Sequence, residues 1–194
     1  MTEIVVIGTS LGGLTALETL LPLLSSDFDL PVAVVQHRGV ESTSRLSATL
    51  RRYTHLNVHE AHDKEPIKSG TLYLAPPDYH LLVERGMFAL STDPPVQYAR
   101  PSVDVLFETA ADEYGDKVTA VVLTGAGRDG ADGAARVMAR GGTVLVQSPS
   151  TAECGSMPEA AIKLAGVDPG RILSLQEIAV QLSALTNGSI KKER

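Results

Sequence analysis

What most constrains this chain is a rhythm: short, unbroken aliphatic runs rich in β-branched residues alternate with stretches of helical spacing. "EIVVIG" (3–8), "LPVAVVQ" (30–36), "LNVHEA" (56–61), "VTAVVLTG" (118–125) and "TVLVQ" (143–147) are mostly continuous in apolar character rather than alternating. A strand that is apolar on both sides has to be covered on both sides, as in a parallel sheet sandwiched between helices. Helical patterns fill the gaps at about 12–24, 44–53, 102–115, 131–142, 157–166 and 176–185, and "RILSL" (171–175) adds a brief late strand. In 102–115, for example, Val103, Leu106, Phe107 and Ala110 share one face. The expectation is an α/β fold with a doubly wound, mostly parallel sheet flanked by helices. Between Gly70 and Leu90 the texture changes to "GTLYLAPP", "YHLLVER" and "MFALS", which read as a β-hairpin or meander inserted around residues 70–90.

A length of 194 residues suits one core, read as a single domain over residues 1–186 with the polar "NGSIKKER" fraying at 187–194. The formal charge of −6 comes without a basic patch, which argues against nucleic acid or an anionic membrane as partner. Cys154 is the single cysteine, so an internal disulfide is excluded and a reducing compartment fits; it reads as a small buried thiol. No run approaches the ~18–20 apolar residues of a membrane span, and the N-terminus lacks a signal-peptide pattern. A cytoplasmic protein without membrane insertion is expected.

Function in parallel sheets collects at the carboxyl ends of the strands. Those ends carry Gly8-Thr9-Ser10, Gln36-His37 and Thr124-Gly125-Ala126-Gly127-Arg128-Asp129. Gly125 to Gly130 spells G-x-G-x-x-G, but no acid follows on the next strand to hold a ribose, so the dinucleotide reading is weak. Gly8 to Gly12 spells G-x-S-x-G, yet the order Ser10, His37, Asp129 and the lack of preceding strands exclude the α/β-hydrolase fold. The elbow physics survives: a serine between a buried strand and a helix N-terminus sits at the sheet edge beside backbone N–H groups. His55, His59 and His62, with Asp63, suggest a metal. Strand geometry, however, puts His55 and His59 too far apart and turns His62 to the other face, so they read as exposed histidines and no metal site is expected.

Ser10, His37 and Asp129 would share one sheet edge, and a serine is nucleophilic only when a base takes its proton and a third group orients that base. Each also has an ordinary reading. Ser10 and Asp129 could be helix caps and His37 a hydrogen-bonded loop residue. The residues alone leave both readings open.

Over about Ile4 to Ala184 the chain resembles the catalytic domain of the CheB protein-glutamate methylesterases of bacterial chemotaxis. The matching motifs are "IGTSLGG", "VVQH", "GTLYLAPPDYHLLV", "RPSVDVLF", "VVLTGAGRDGADG" and "GSMPEAAI", in the family's order. The resemblance implies a serine esterase that removes methyl groups from glutamate γ-methyl esters on chemoreceptor cytoplasmic helices and releases methanol, with glutamine deamidation undetermined. It implies Ser10 as nucleophile, His37 as base and Asp129 as orienting acid. Leu11, Gly12, Gly125, Ala126 and Gly127 would line the oxyanion and substrate region, and neither metal nor organic cofactor is needed. Leu11 and Ala126 depart from the family's usual threonine and methionine, which motivates an alternative: a catalytically weak binding module that docks the receptor or a signalling partner. Family members usually carry a receiver domain ahead of the esterase. Without one here, the chain is either a fragment of a longer protein or a stand-alone esterase, whose activity is then expected to be constitutive or governed by a partner in trans.

Overall fold

The computed structural model describes residues 3–38 and 45–187, so the proposed tail from 188 onward lies outside the described residues. The chain runs β1 (Ile4–Thr9), α1 (Gly13–Leu20), β2 (Val32–Gln36), α2 (Arg45–Leu50), β3 (Asn57–Glu60), β4 (Thr71–Leu74), β5 (His80–Glu84) and β6 (Met87–Ser91). It continues with α3 (Val103–Tyr114), β7 (Val118–Val122), α4 (Ala131–Ala139), β8 (Thr143–Gln147), α5 (Ser156–Ala165), β9 (Ile172–Leu173) and α6 (Leu175–Asn187). The main sheet has seven strands in the order β3-β4-β2-β1-β7-β8-β9, every pairing parallel.

The continuous aliphatic runs are explained by two-sided burial. Along β1, Ile4 and Val6 point into a core shared with Phe107, Val137 and Met157 of α3, α4 and α5. Val5 and Ile7 point the other way, against Leu17, Leu20, Leu50, Ile178 and Leu182 of α1, α2 and α6. Each wholly buried aliphatic side chain contributes about 1.5–3 kcal/mol of transfer free energy, and polar strand residues enter with hydrogen-bond partners, as Thr9 does on Thr124 O.

The hairpin expected around residues 70–90 is narrower than the sequence texture suggests. Thr71–Leu74 is β4 of the main sheet, parallel between β2 and β3, and only β5 and β6 form the separate antiparallel pair. β4 reaches its place through the 61–70 connection, which has no helix between Glu60 and Thr71. A crossover without a helix looks like a meander in sequence. The hairpin packs on α3, with Leu81, Val83 and Phe88 in the same core as Phe107.

From β1 the chain passes through α1 to β2 on one side, and later enters β7 on β1's other side. Neighbouring connections thus leave in opposite directions at β1, which opens a crevice at the carboxyl ends of β2, β1 and β7.

Candidate active site

Ser10 is the residue after β1, and its turn is tied down on both flanks. Ser10 N–H donates to Thr124 O at 3.0 Å, and Thr9 Oγ1–H donates to the same carbonyl at 2.8 Å. On the other flank Gln36 Nε2 donates to Ser10 O at 2.8 Å and His37 O at 2.9 Å, while His37 N–H donates to Thr9 O at 3.0 Å. The chain then enters α1 through Gly12, whose φ of 77° is a left-handed conformation that glycine adopts without a Cβ penalty. Gly8 is needed for space instead: a Cβ there would fall 2.2 Å from Val103 Cγ1 at the start of α3.

His37 follows β2 and Asp129 follows β7, and the two side chains meet at 2.7 Å between His37 Nε2 and Asp129 Oδ2. With Nε2 facing a carboxylate, the neutral ring carries its proton there and leaves the Nδ1 lone pair unengaged.

Asp129 is only 3% exposed and is saturated with donors. Besides His37, Oδ2 accepts from Val103 N–H at 2.8 Å, and Oδ1 accepts from Ser102 Oγ–H at 2.8 Å and Asp104 N–H at 2.9 Å. Val103 and Asp104 open α3, so Asp129 caps that helix from outside its own chain segment. Asp104 returns the favour, its Oδ1 accepting from Gly130 and Gly133 N–H, both at 2.8 Å, at the start of α4. Each aspartate caps the helix at whose head the other stands. Burial alone would raise the Asp129 carboxyl, but hydrogen bonds from His37, the Asp104 and Val103 amides and Ser102 hold it below the ordinary carboxylate range. Asp104 goes the opposite way, pushed up to about 7 by burial and by the neighbouring Asp129 charge, against the pull of Gly133 N–H.

A cleft of about 500 Å³ opens over Ser10 and is walled by Leu11, Gly12, Gln36, His37 and Glu153. Leu11 is 55% exposed there. Its N–H and that of Gly12 find no acceptor among the described residues. A second concavity of about 370 Å³ lies on another side of His37, lined by Arg38, Tyr98, Arg100 and Pro101. The Arg100 guanidinium pairs with Asp78 and donates to Thr92 O at 2.9 Å, so this arginine both lines the region and has an acidic partner.

The turn at residues 125–127 is divided. Gly125 is buried against Ser10, and its N–H already donates to Cys154 O at 2.9 Å. Gly125 can therefore shape the site but not donate to an oxyanion. Ala126 and Gly127 are exposed, with amides that meet no acceptor among the described residues. Cys154, expected to be buried, is half-exposed, with its N–H on Thr124 Oγ1 at 2.9 Å.

The sequence reading missed Ser102, Asp104 and Gln36, which hold the constellation without touching the cleft's centre as a triad would. A serine N-cap with an aspartate in the first turn of an amphipathic stretch is a helix-start signal that could have found the first two. The reading of the histidines also needs correction. His55 stays apart, bonded to Phe28 O at 2.8 Å, but His59 and His62 come together with ring centroids 6.0 Å apart, because the chain turns back after β3 and strand alternation ends at Glu60.

A hydroxyl, an imidazole and a buried carboxylate on three adjacent ends of a parallel sheet define a class: an α/β protein with the side-chain set of a serine hydrolase. The chain matches the CheB methylesterase family over residues 5–182, and it belongs to that family. It is 43% identical over 191 residues to a Leptospira interrogans protein, covering 98% of each chain; that protein is ascribed protein-glutamate methylesterase/protein-glutamine glutaminase activity. It is 42% identical over 184 residues to protein-glutamate methylesterase/protein-glutamine glutaminase 2 of Anaeromyxobacter dehalogenans, covering 95% of this chain and 53% of that one. The crystal structure of the Thermotoga maritima CheB methylesterase catalytic domain superposes with a TM-score of 0.89 at 36% identity, covering 95% of this chain and 99% of that one.

Proposed function

We propose that this protein is a protein-glutamate methylesterase that hydrolyses γ-glutamyl methyl esters on the cytoplasmic helices of methyl-accepting chemoreceptors, with Ser10, His37 and Asp129 as its catalytic set. The observation that carries the reading is the 2.7 Å contact from His37 Nε2 to the buried Asp129, one strand end away from Ser10, in a chain of the CheB methylesterase family.

The steps follow from which atoms are free. His37 Nδ1 takes the Ser10 proton as Oγ attacks the ester carbonyl. The negative charge that develops on the carbonyl oxygen falls to the unengaged Leu11 and Gly12 amides at the mouth of α1. Nδ1 returns its proton to the departing methoxide, so methanol leaves and an acyl-serine remains. A water gives a proton to Nδ1 and attacks the acyl carbonyl; the tetrahedral species collapses as Nδ1 returns that proton to Ser10 Oγ, and the freed glutamate side chain loses its acid proton to solvent. Throughout, the Asp129 carboxylate holds the Nε2 proton in place, which keeps Nδ1 as the base. Because the relatives' names also carry glutaminase, the same steps with ammonia as leaving group would act on a glutamine side chain.

None of the described helices is long and apolar enough to cross a membrane, which supports action from the aqueous side on the receptor's cytoplasmic part. The test is methanol and ammonia release from methylated receptor preparations by wild type and Ser10→Ala. Release by wild type that disappears in the folded variant supports the assignment. Absence of release from several receptors by folded wild type would instead favour a binding module.

A further inference from the structure

Away from the catalytic edge, we propose that His59, His62 and Glu65 form a binding site for a zinc-class divalent cation. One ring nitrogen each of His59 and His62 and a Glu65 carboxylate oxygen all lie within 4.8 Å of one another. In detail, His59 Nε2 is 2.8 Å from Glu65 Oε1, and His62 Nδ1 is 3.3 Å from Oε2. Ligands at about 2.0–2.2 Å from a tetrahedral Zn²⁺ are separated by roughly 3.3–3.5 Å, so these donors need only rotamer-scale adjustment to share one ion.

The site is held from several directions. His59 belongs to β3, and its ring is braced edge-on by Tyr73 at 5.0 Å. Tyr73 Oη in turn accepts from Lys68 N–H at 3.0 Å, which fixes the loop beyond Glu65. The turn from His62 to Glu65 closes through Glu65 N–H to His62 O at 3.2 Å and His62 N–H to Glu65 Oε2 at 3.0 Å. It is zipped to the β5–β6 hairpin by Lys64 N–H to Phe88 O at 2.8 Å and Phe88 N–H to Glu65 O at 2.9 Å. Strand, turn and hairpin thus present three ligands before any ion arrives, and little ordering is left to do.

The donor set selects the ion. Two imidazoles disfavour Mg²⁺ and Ca²⁺, which want oxygen, and suit Zn²⁺ and its neighbours. His₂Glu leaves a fourth position for water, and His62, 79% exposed, puts that position at the surface. Glu65, a carboxylate, supplies the anionic ligand. Coordination uses the lone pairs of these two ring nitrogens, so with an ion bound each imidazole carries its proton on the other nitrogen. The ion would clip edge strand β3 to the turn at His62–Glu65, which is itself zipped to the hairpin.

The test is isothermal titration of the tag-free protein with ZnCl₂ near neutral pH, on a Cys154→Ser background that removes the thiol as a competing ligand. Wild-type ligands should give one ion per chain and a zinc-dependent rise in Tm. His62→Ala, at an exposed position that folding does not need, and Glu65→Gln should each weaken binding by about a hundredfold or more. With Cu²⁺, electron paramagnetic resonance should show two nitrogen ligands in the parent and one in His62→Ala. No uptake at micromolar zinc, or uptake that both variants leave unchanged, would overturn the site.

Discussion

Asp129 serves two masters, and replacing it in two ways separates them. In Asp129→Ala the Val103 and Asp104 amides lose their buried acceptor, and Ser102 Oγ and His37 Nε2 lose theirs. Each orphaned buried donor costs about 1–3 kcal/mol, so the two backbone amides alone remove roughly 2–6 kcal/mol. A domain of ordinary stability has about 5–15 kcal/mol in all, so this variant should lose a large share of its stability. Asp129→Asn is milder. Its carbonyl can keep the Oδ1 contacts with Ser102 and Asp104, and only Val103 N–H is left facing an amide nitrogen, for about 1–3 kcal/mol. Chemistry is affected differently. The Asn amide donates to His37 Nε2, which forces the ring proton onto Nδ1 and removes the base, at about 10⁴-fold in kcat. Urea unfolding followed by circular dichroism gives the stability ranking, and methanol release gives the rates. An Asp129→Ala protein within about 0.5 kcal/mol of wild type would refute the capping argument. An Asp129→Asn enzyme within tenfold of wild-type rate would refute the tautomer argument.

Four further outcomes are expected. Asp104, raised to about 7 in the folded protein against about 3.9 unfolded, stabilises the fold fully below the lower value and loses that contribution as pH rises through the upper. Tm measured from pH 5 to 9 should therefore fall more steeply in wild type than in Asp104→Asn, and parallel curves would sink the idea. Asp129, lowered, acts on the opposite limb, with stability present above the unfolded value and lost as pH falls through the folded one, so Asp129→Asn should flatten the acid side of the profile. Gly8→Ala drives a methyl into Val103 at the head of α3 and should cost about 1–3 kcal/mol in urea unfolding, with a secondary fall in rate as α3 is pushed off Asp129. Leu11→Thr, at an exposed cleft wall, should change stability by less than about 0.5 kcal/mol and show its effect in kcat/KM alone.

Much of the architecture was legible because two-sided burial leaves a loud trace: β1, β2, β7 and β8 are runs that no alternating strand would show. β4 was misfiled because its connection from β3 lacks the helix that marks a crossover in sequence. At the site, Ser10, His37 and Asp129 could be named because each sits where a strand ends, and sheet order then brings those ends together. Asp104 and Gln36 act on backbone amides and carbonyls of other segments and Ser102 Oγ donates to the distant Asp129 carboxylate, so beyond the helix-start pattern at 102–104 their partners leave no motif to read. The histidine pair failed for a related reason. Periodicity holds only while the strand lasts, and β3 stops at Glu60 before the chain doubles back.

The reciprocal caps explain why this constellation is hard to separate from its fold. Asp129 needs its donors to remain ionised while buried, and those donors are the first amides of α3, which would otherwise be unsatisfied. Asp104 holds the start of α4, the helix that immediately follows Asp129, and so fixes the backbone from which the triad acid projects. Loosening either helix N-terminus withdraws hydrogen bonds from one carboxylate and alters the field at the other, about a shared buried charge. The same contacts that keep Asp129 anionic, and hence His37 Nε2 protonated, also join α3 to α4 across the sheet face. A substitution at Ser102, far from any bond that breaks, should therefore lower rate and stability together, whereas one at Ser10 should lower rate alone.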